Sequence, residues 1–170
     1  MWEHAAALAW WSRAQAGEVW TPYSVSRDAA SALLWAVVDA NDRDLPDGRH
    51  LVINTEDGDR SVWQIAQEVE LGAWTCFVRK RALSAGLILA CACTEMRYCS
   101  PDAQFLFHGL NERHPEKSDQ HRSEWFAART KMPVEFWLSH CAEDFRFGAE
   151  DALEFGVVHD VIGAEEVSAR

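Results

Sequence analysis

The chain has 170 residues, 48% of them apolar and nine of them tryptophan, which suits one domain with a continuous core and excludes a disordered segment. Its formal net charge is −11, and its longest basic run is Arg79-Lys80-Arg81. Nucleic-acid binding, which requires a basic face, is therefore excluded as the working class.

In chain order, MWEHAAALAWW opens an N-terminal helical segment over residues 1–17, able to pack on its own domain or on a neighbouring subunit. SRDAASALLWAVVDA (26–40) starts with Ser26 at an N-cap position and repeats Leu33, Leu34, Val37 and Val38 at helical spacing. NDRDLPDG (41–48) is turn chemistry, HLVIN (50–54) a buried strand, TEDG (55–58) a tight loop, and RSVWQIAQEVEL (60–71) a helix. WTCFV (74–78) forms a second strand, and LSAGLILACACTE opens an apolar helix at Ser84. CSPDAQ is a turn, FLFH (105–108) a third strand, and NERHPEKSDQHR a charged excursion. Residues 123–143 are helical with a restart at Pro133, FGAEDALEFG is a short helix closed by Gly156, and VVHDVI is a last strand. Strands separated by helices of this length predict an α/β fold built of β-α-β units.

Ser84 falls at the turn between a strand's carboxyl end and a helix, the place where α/β folds bind ligands. As a bare residue it is either an N-cap or a nucleophile. For a nucleophile, the first N–H groups of the following helix are unpaired, and that of Ala85 is the natural oxyanion donor. A serine nucleophile needs a base and an orienting group. His108 ends a strand at the same edge, although it also fits a half-buried strand-end histidine. Asp144 follows the helix restarted at Pro133, where an acid is ordinarily just solvated.

The stretch SAGLILACACTEMRYCSPDAQFLFHG resembles the serine-to-histidine core of the Clp protease proteolytic subunit family. The matching pieces are Ser84-Ala85-Gly86, Arg97-Tyr98, Pro101 and FLF-His108. LVINTEDG (51–58) falls where that family carries Asn-Ser-Pro-Gly-Gly; Asn54 and Gly58 match, and Glu56 and Asp57 replace the Pro and the first Gly. EDFRFGAEDALEFGVVHDVI resembles the family's closing segment and puts the triad aspartate on Asp144. Together these cover residues 18–162.

The resemblance implies a ClpP/crotonase-like spiral of β-β-α units over residues 18–170, with Ser84, His108 and Asp144 as triad and Gly58 and Ala85 as oxyanion donors. It also implies peptide-bond hydrolysis without a cofactor, on a peptide or unfolded protein, in a homo-oligomeric ring fed by an ATP-dependent unfoldase or another protein partner. From Ser84 to His108 the interval is 24 positions (108 − 84), close to the family's. From His108 to Asp144 it is 36 (144 − 108), shorter than in the family. The missing part is the handle helix that stacks two rings, so a single ring or smaller oligomer is expected.

The alternatives are a catalytically silent scaffold or regulatory subunit, favoured by the altered TEDG loop, an acyl-thioester enzyme of the crotonase type, and an unrelated binding module. Asp57 either places a negative charge beside the oxyanion or points to solvent or caps the next helix. The five cysteines, at 76, 91, 93, 99 and 141, form no C-x-x-C pair and read as free thiols. The start has no cationic n-region and no apolar stretch spans a bilayer, so a cytoplasmic location with no membrane partner is expected. His114 and His121 are spaced too widely for a zinc pair, and no metal is expected.

Overall fold

A computed structural model describes residues 17–109 and 115–162; the expected helix over 1–17 lies outside these except for Gly17. In chain order the elements are β1 (Glu18–Trp20), β2 (Ser24–Val25), α1 (Arg27–Asn41), β3 (Arg49–Thr55), β4 (Asp57–Gly58) and α2 (Val62–Leu71). There follow β5 (Trp74–Leu83), α3 (Ala85–Ala92), β6 (Arg97–Cys99), β7 (Gln104–Phe107), α4 (Pro115–Ala127), α5 (Val134–Ser139), β8 (Phe145–Gly148), α6 (Ala149–Glu154) and β9 (Asp160–Val161). The chain is a mixed α/β protein with a mostly parallel sheet. No helix among the described residues is long and apolar enough to cross a membrane.

β1, β3, β5, β6 and β9 lie side by side, all parallel. β5 carries two partners on its second edge. Its first half pairs with β6 through Cys76↔Arg97 to Val78↔Cys99, and its last turn of strand pairs with β7 through Arg81↔Gln104 to Leu83↔Leu106. β8 then closes on β7 antiparallel, from Gln104↔Gly148 to Phe107↔Phe145. Parallel strands covered on both faces read as continuous apolar runs, which is why LVI and FLF stand out in the sequence.

α3 is apolar all round, AGLILACA, and every one of its residues is buried, as expected of a helix walled in on all sides. It packs against β3, β5 and α2. Beyond β7 and β8 the core turns aromatic. Trp137 of α5 is fully buried and meets Phe107 and Phe126 at ring separations of 5.0 and 5.2 Å. Its indole N–H donates to the Thr130 hydroxyl at 3.1 Å, so the one polar atom of this ring is satisfied.

Three expectations are corrected. TEDG is no simple loop: Asp57–Gly58 pairs in parallel with Ser24–Val25, a bridge too short to carry an apolar signal. The charged stretch is helical from Pro115 onward, since proline at a first helical position loses no hydrogen bond and later turns carry Trp125 and Phe126. The helix expected to run to residue 143 ends at Ser139.

Trp137→Ala is expected to cost about 3–5 kcal/mol of stability, the usual result of emptying a buried aromatic site. Trp137→Phe should cost less than half of that. Urea unfolding midpoints at constant slope measure both.

Candidate active site

Ser84 joins the end of β5 to the start of α3 in a single residue. Its N–H donates to the Leu106 carbonyl at 3.0 Å, continuing the β5–β7 ladder, while its own carbonyl accepts the first intrahelical bond from Ile88 at 3.3 Å. To serve both elements the residue stands at φ 50, ψ −102, a region that costs a residue with a Cβ about 1–3 kcal/mol. Its side chain makes no cap hydrogen bond. The hydroxyl points the other way.

The Ser84 Oγ lies 2.7 Å from His108 Nε2, and His108 Nδ1 lies 2.7 Å from the Gly109 carbonyl oxygen. A carbonyl only accepts, so Nδ1 carries the imidazole proton and donates it there. In the neutral ring Nε2 is then the lone-pair nitrogen, and the Ser84 O–H donates to it. This is the arrangement a serine nucleophile and its general base require.

The third expected member is placed differently. Carried one step beyond Phe107↔Phe145, the β7–β8 register brings Asp144 to the position of His108. Asp144 is nevertheless exposed, and among the described residues it makes no hydrogen bond or ion pair to the imidazole. The Gly109 carbonyl occupies the orienting position that the resemblance gave to Asp144. The physical reason is proximity, because a carbonyl one residue away reaches Nδ1 without a cross-strand side chain.

Gly109 is packed tightly. A methyl at this position would stand 2.4 Å from the Cys141 carbonyl oxygen and 2.9 Å from Asp119 Oδ1. The Gly109 N–H also donates to that Cys141 carbonyl at 3.1 Å. The peptide that orients His108 is thus clamped between α4 and the end of α5. Asp119 was hidden from sequence reading inside what looked like a charged loop.

On the opposite side, Gly58 rests on Ala85: a methyl at 58 would stand 2.6 Å from Ala85 Cβ and 2.9 Å from Val25 Cβ. Asp59 N–H donates to the Val25 carbonyl at 3.1 Å. Successive N–H groups on extended backbone leave from opposite edges, so that of Gly58 is directed away from β2. The N–H groups of Ala85, Gly86 and Leu87 have no intrahelical acceptor. Gly58 and Ala85 therefore face one cavity with Ser84. Asp57 is exposed, and it is Asp59, ahead of the α2 N-cap Ser61, whose carboxylate accepts from the Ser61 N–H at 2.7 Å and from its hydroxyl. Those bonds hold the Asp59 carboxyl below its ordinary range.

The cavity measures about 790 Å³ and is lined by Gly58, Ser84, Ala85 and His108 on the strand side. Its far wall comes from α2 and α4, with Trp63 and Trp125 in edge-to-face contact at 5.2 Å. Arg122 lies in the same wall, 3% exposed, with its guanidinium carbon 5.3 Å from the Phe107 ring. Burial pushes Arg122 down to about 10, so it stays a cation at neutral pH. Part of this wall escapes the sequence reading, because Ser118, His121 and Arg122 sit in the stretch read as a charged excursion, while Trp63 and Trp125 fall in expected helices. His114 lies outside the described residues, and among the described ones no cluster of three His, Cys, Asp or Glu could hold a metal.

No family model matches the chain, and no curated protein matches it.

The backbone at Ser84 gives a test that needs no substrate. Replacing alanine by glycine normally destabilises a fold by up to about 1 kcal/mol. At φ 50 the sign should reverse, with Ser84→Gly about 1 kcal/mol more stable than Ser84→Ala in equilibrium denaturation.

Proposed function

We propose that the chain is a serine hydrolase, a peptidase resembling the Clp proteolytic subunit and sharing its crotonase-like spiral. The observation that carries this reading is the 2.7 Å contact between Ser84 Oγ and Nε2 of His108, at a turn whose backbone is held at φ 50. In the reaction, Ser84 Oγ attacks the carbonyl carbon of the scissile bond as its proton passes to Nε2. The developing oxyanion is met by the N–H of Ala85, with Gly58 as second donor. The imidazolium then gives its proton to the leaving amine, the acyl-serine ester is left, and water deprotonated by His108 Nε2 hydrolyses it.

The runner-up is a catalytically silent scaffold of the same family. It draws on the exposed Asp144 and on Glu56 and Asp57, just before Gly58. A fluorophosphonate probe separates the two. The hydrolase reading expects labelling at Ser84, with Ser84→Ala and His108→Ala each lowering labelling and peptide turnover by at least about 10³-fold and non-additively. Asp144→Asn should stay within about tenfold of the parent. An unlabelled chain, or undiminished turnover in Ser84→Ala, rejects it.

Assembly into a homo-oligomeric ring belongs to the same proposal. Its support is the exposure of Trp35 at 73% and Leu71 at 79%, on the packed pair α1 and α2, where apolar side chains gain from a covering surface. Light scattering at micromolar concentration is expected to give a mass above that of the single chain. A monomer would contradict the ring. The part that Trp2, Trp10 and Trp11 would play lies outside the described residues.

A further inference from the structure

Buried cations are ordinarily paired, because an uncompensated charge removed from water costs several kcal/mol. Arg122 breaks that rule: its Nε and Nη2 are buried and have no hydrogen-bond partner. Among the described residues no carboxylate forms an ion pair with it, the ion pairs found being those of Arg43, Arg81 and Arg129, although Asp119 one turn earlier on α4 is near enough to favour the cation. The faces of Phe107 and Phe126 lie 5.3 and 5.9 Å from its guanidinium carbon. They offer the cation a favourable quadrupole but accept no hydrogen bond in its plane. Arg122 lines the same cavity as Ser84 and His108, with apolar Trp63 and Trp125 beside it and Asp59, Arg60 and His121 also in the lining. Its Nε and Nη2 are covered in this conformation, so a ligand reaches them once the side chain turns toward the cavity. A planar guanidinium with free in-plane N–H groups matches a carboxylate in two-point contact. In a chain whose net charge is −11, the rest of the protein does not draw anions in, so the selectivity has to be local.

We infer that Arg122 is the specificity residue of this cavity, and that the substrate class is an acyl compound or peptide carrying a carboxylate on an apolar stem near the bond that Ser84 attacks. The carboxylate docks on Arg122 and the stem lies along the joined faces of Trp63 and Trp125, which places the reacting carbonyl toward Ala85 and Gly58. This rests on the hydrolase reading for the chemistry, although not for the binding. The carboxylate has two sources, the C-terminus of a peptide or an acidic side chain within one.

Binding is tested first, without turnover, by tryptophan fluorescence in the Ser84→Ala chain titrated with 4-phenylbutyrate and with its neutral amide. The carboxylate is expected to bind at least about tenfold tighter than the amide, the range for a charge-assisted hydrogen-bonded pair. Arg122→Met should abolish that difference, and Arg122→Lys, which keeps the charge without the fork, should retain part of it. Loss of the buried unpaired charge should leave the melting temperature of Arg122→Met at or above the parent's, so misfolding does not cloud the result. Turnover is tested on the p-nitrophenyl monoester of glutarate against p-nitrophenyl butyrate. The ratio of their kcat/KM values is expected to exceed about tenfold and to collapse toward one in Arg122→Met. Two peptides, one with a free C-terminus after an apolar residue and one amidated with an internal glutamate, then name the source by whichever is cleaved faster. Equal binding of acid and amide, or a preference untouched by Arg122→Met, overturns the inference even if Ser84 is an active nucleophile. Selective binding with no ester turnover keeps the inference and overturns the hydrolase reading instead.

Discussion

The whole site hangs on one backbone hydrogen bond, from the Ser84 N–H to the Leu106 carbonyl at 3.0 Å. It is the last rung of the ladder between β5 and β7, and it fixes how far along β7 the serine stands. His108 is two residues beyond Leu106, and an extended chain returns to the same side every second residue. The Ser84–His108 contact is thus a consequence of sheet register. That register is available because β5 is ten residues long, outlasts β6, and leaves its upper edge open for β7. Shorten β5, and the serine and the histidine belong to different parts of the molecule.

A second consequence concerns how charge would be handled if, as proposed, His108 took a proton from Ser84. In a Ser-His-Asp set the new imidazolium faces a full negative charge. Here Nδ1 faces a peptide dipole, the Gly109 carbonyl, which fixes tautomer and ring orientation but offers weaker compensation. Asp144 stands opposite His108 by register, and Asp119 lies where a methyl on Gly109 would meet it. In the proposed reaction the electrostatic support of His108 would be spread over a backbone and its surroundings.

Much of this was legible from the residues. Apolar runs gave strands β3, β5 and β7, and helical spacing gave α1 and α2, because burial on a sheet or a helix face imposes period and composition. Ser84 and His108 were legible as a pair because each sits at a strand end, where side chains project at the sheet's edge. Two-residue β4 was not, since two bridged residues impose no pattern. Helix α4 was not, because PEKSDQHR is polar on most sides and its inward residues include Arg122, whose apolar stem hides behind a charged name. Reading that stretch as irregular removed part of the cavity's far wall from view, and with it Asp119 and Arg122. The orienting role of Gly109 was invisible in principle, because a backbone carbonyl has no letter in a sequence.

The tight glycines divide the site into two halves with different evolutionary prospects. Around Gly58 and Gly109 there is no room for even a methyl group, so substitution there displaces the backbone packed against Ala85 and His108. The wall contributed by α4 is made of side chains on one helix, and each can be exchanged without moving a strand. Variation is therefore channelled: the wall can change by trading residues on α4, while the backbone beneath it stays fixed. A library that randomises Ser118, His121, Arg122 and Trp125 would explore the replaceable half of the molecule and leave the fixed half untouched.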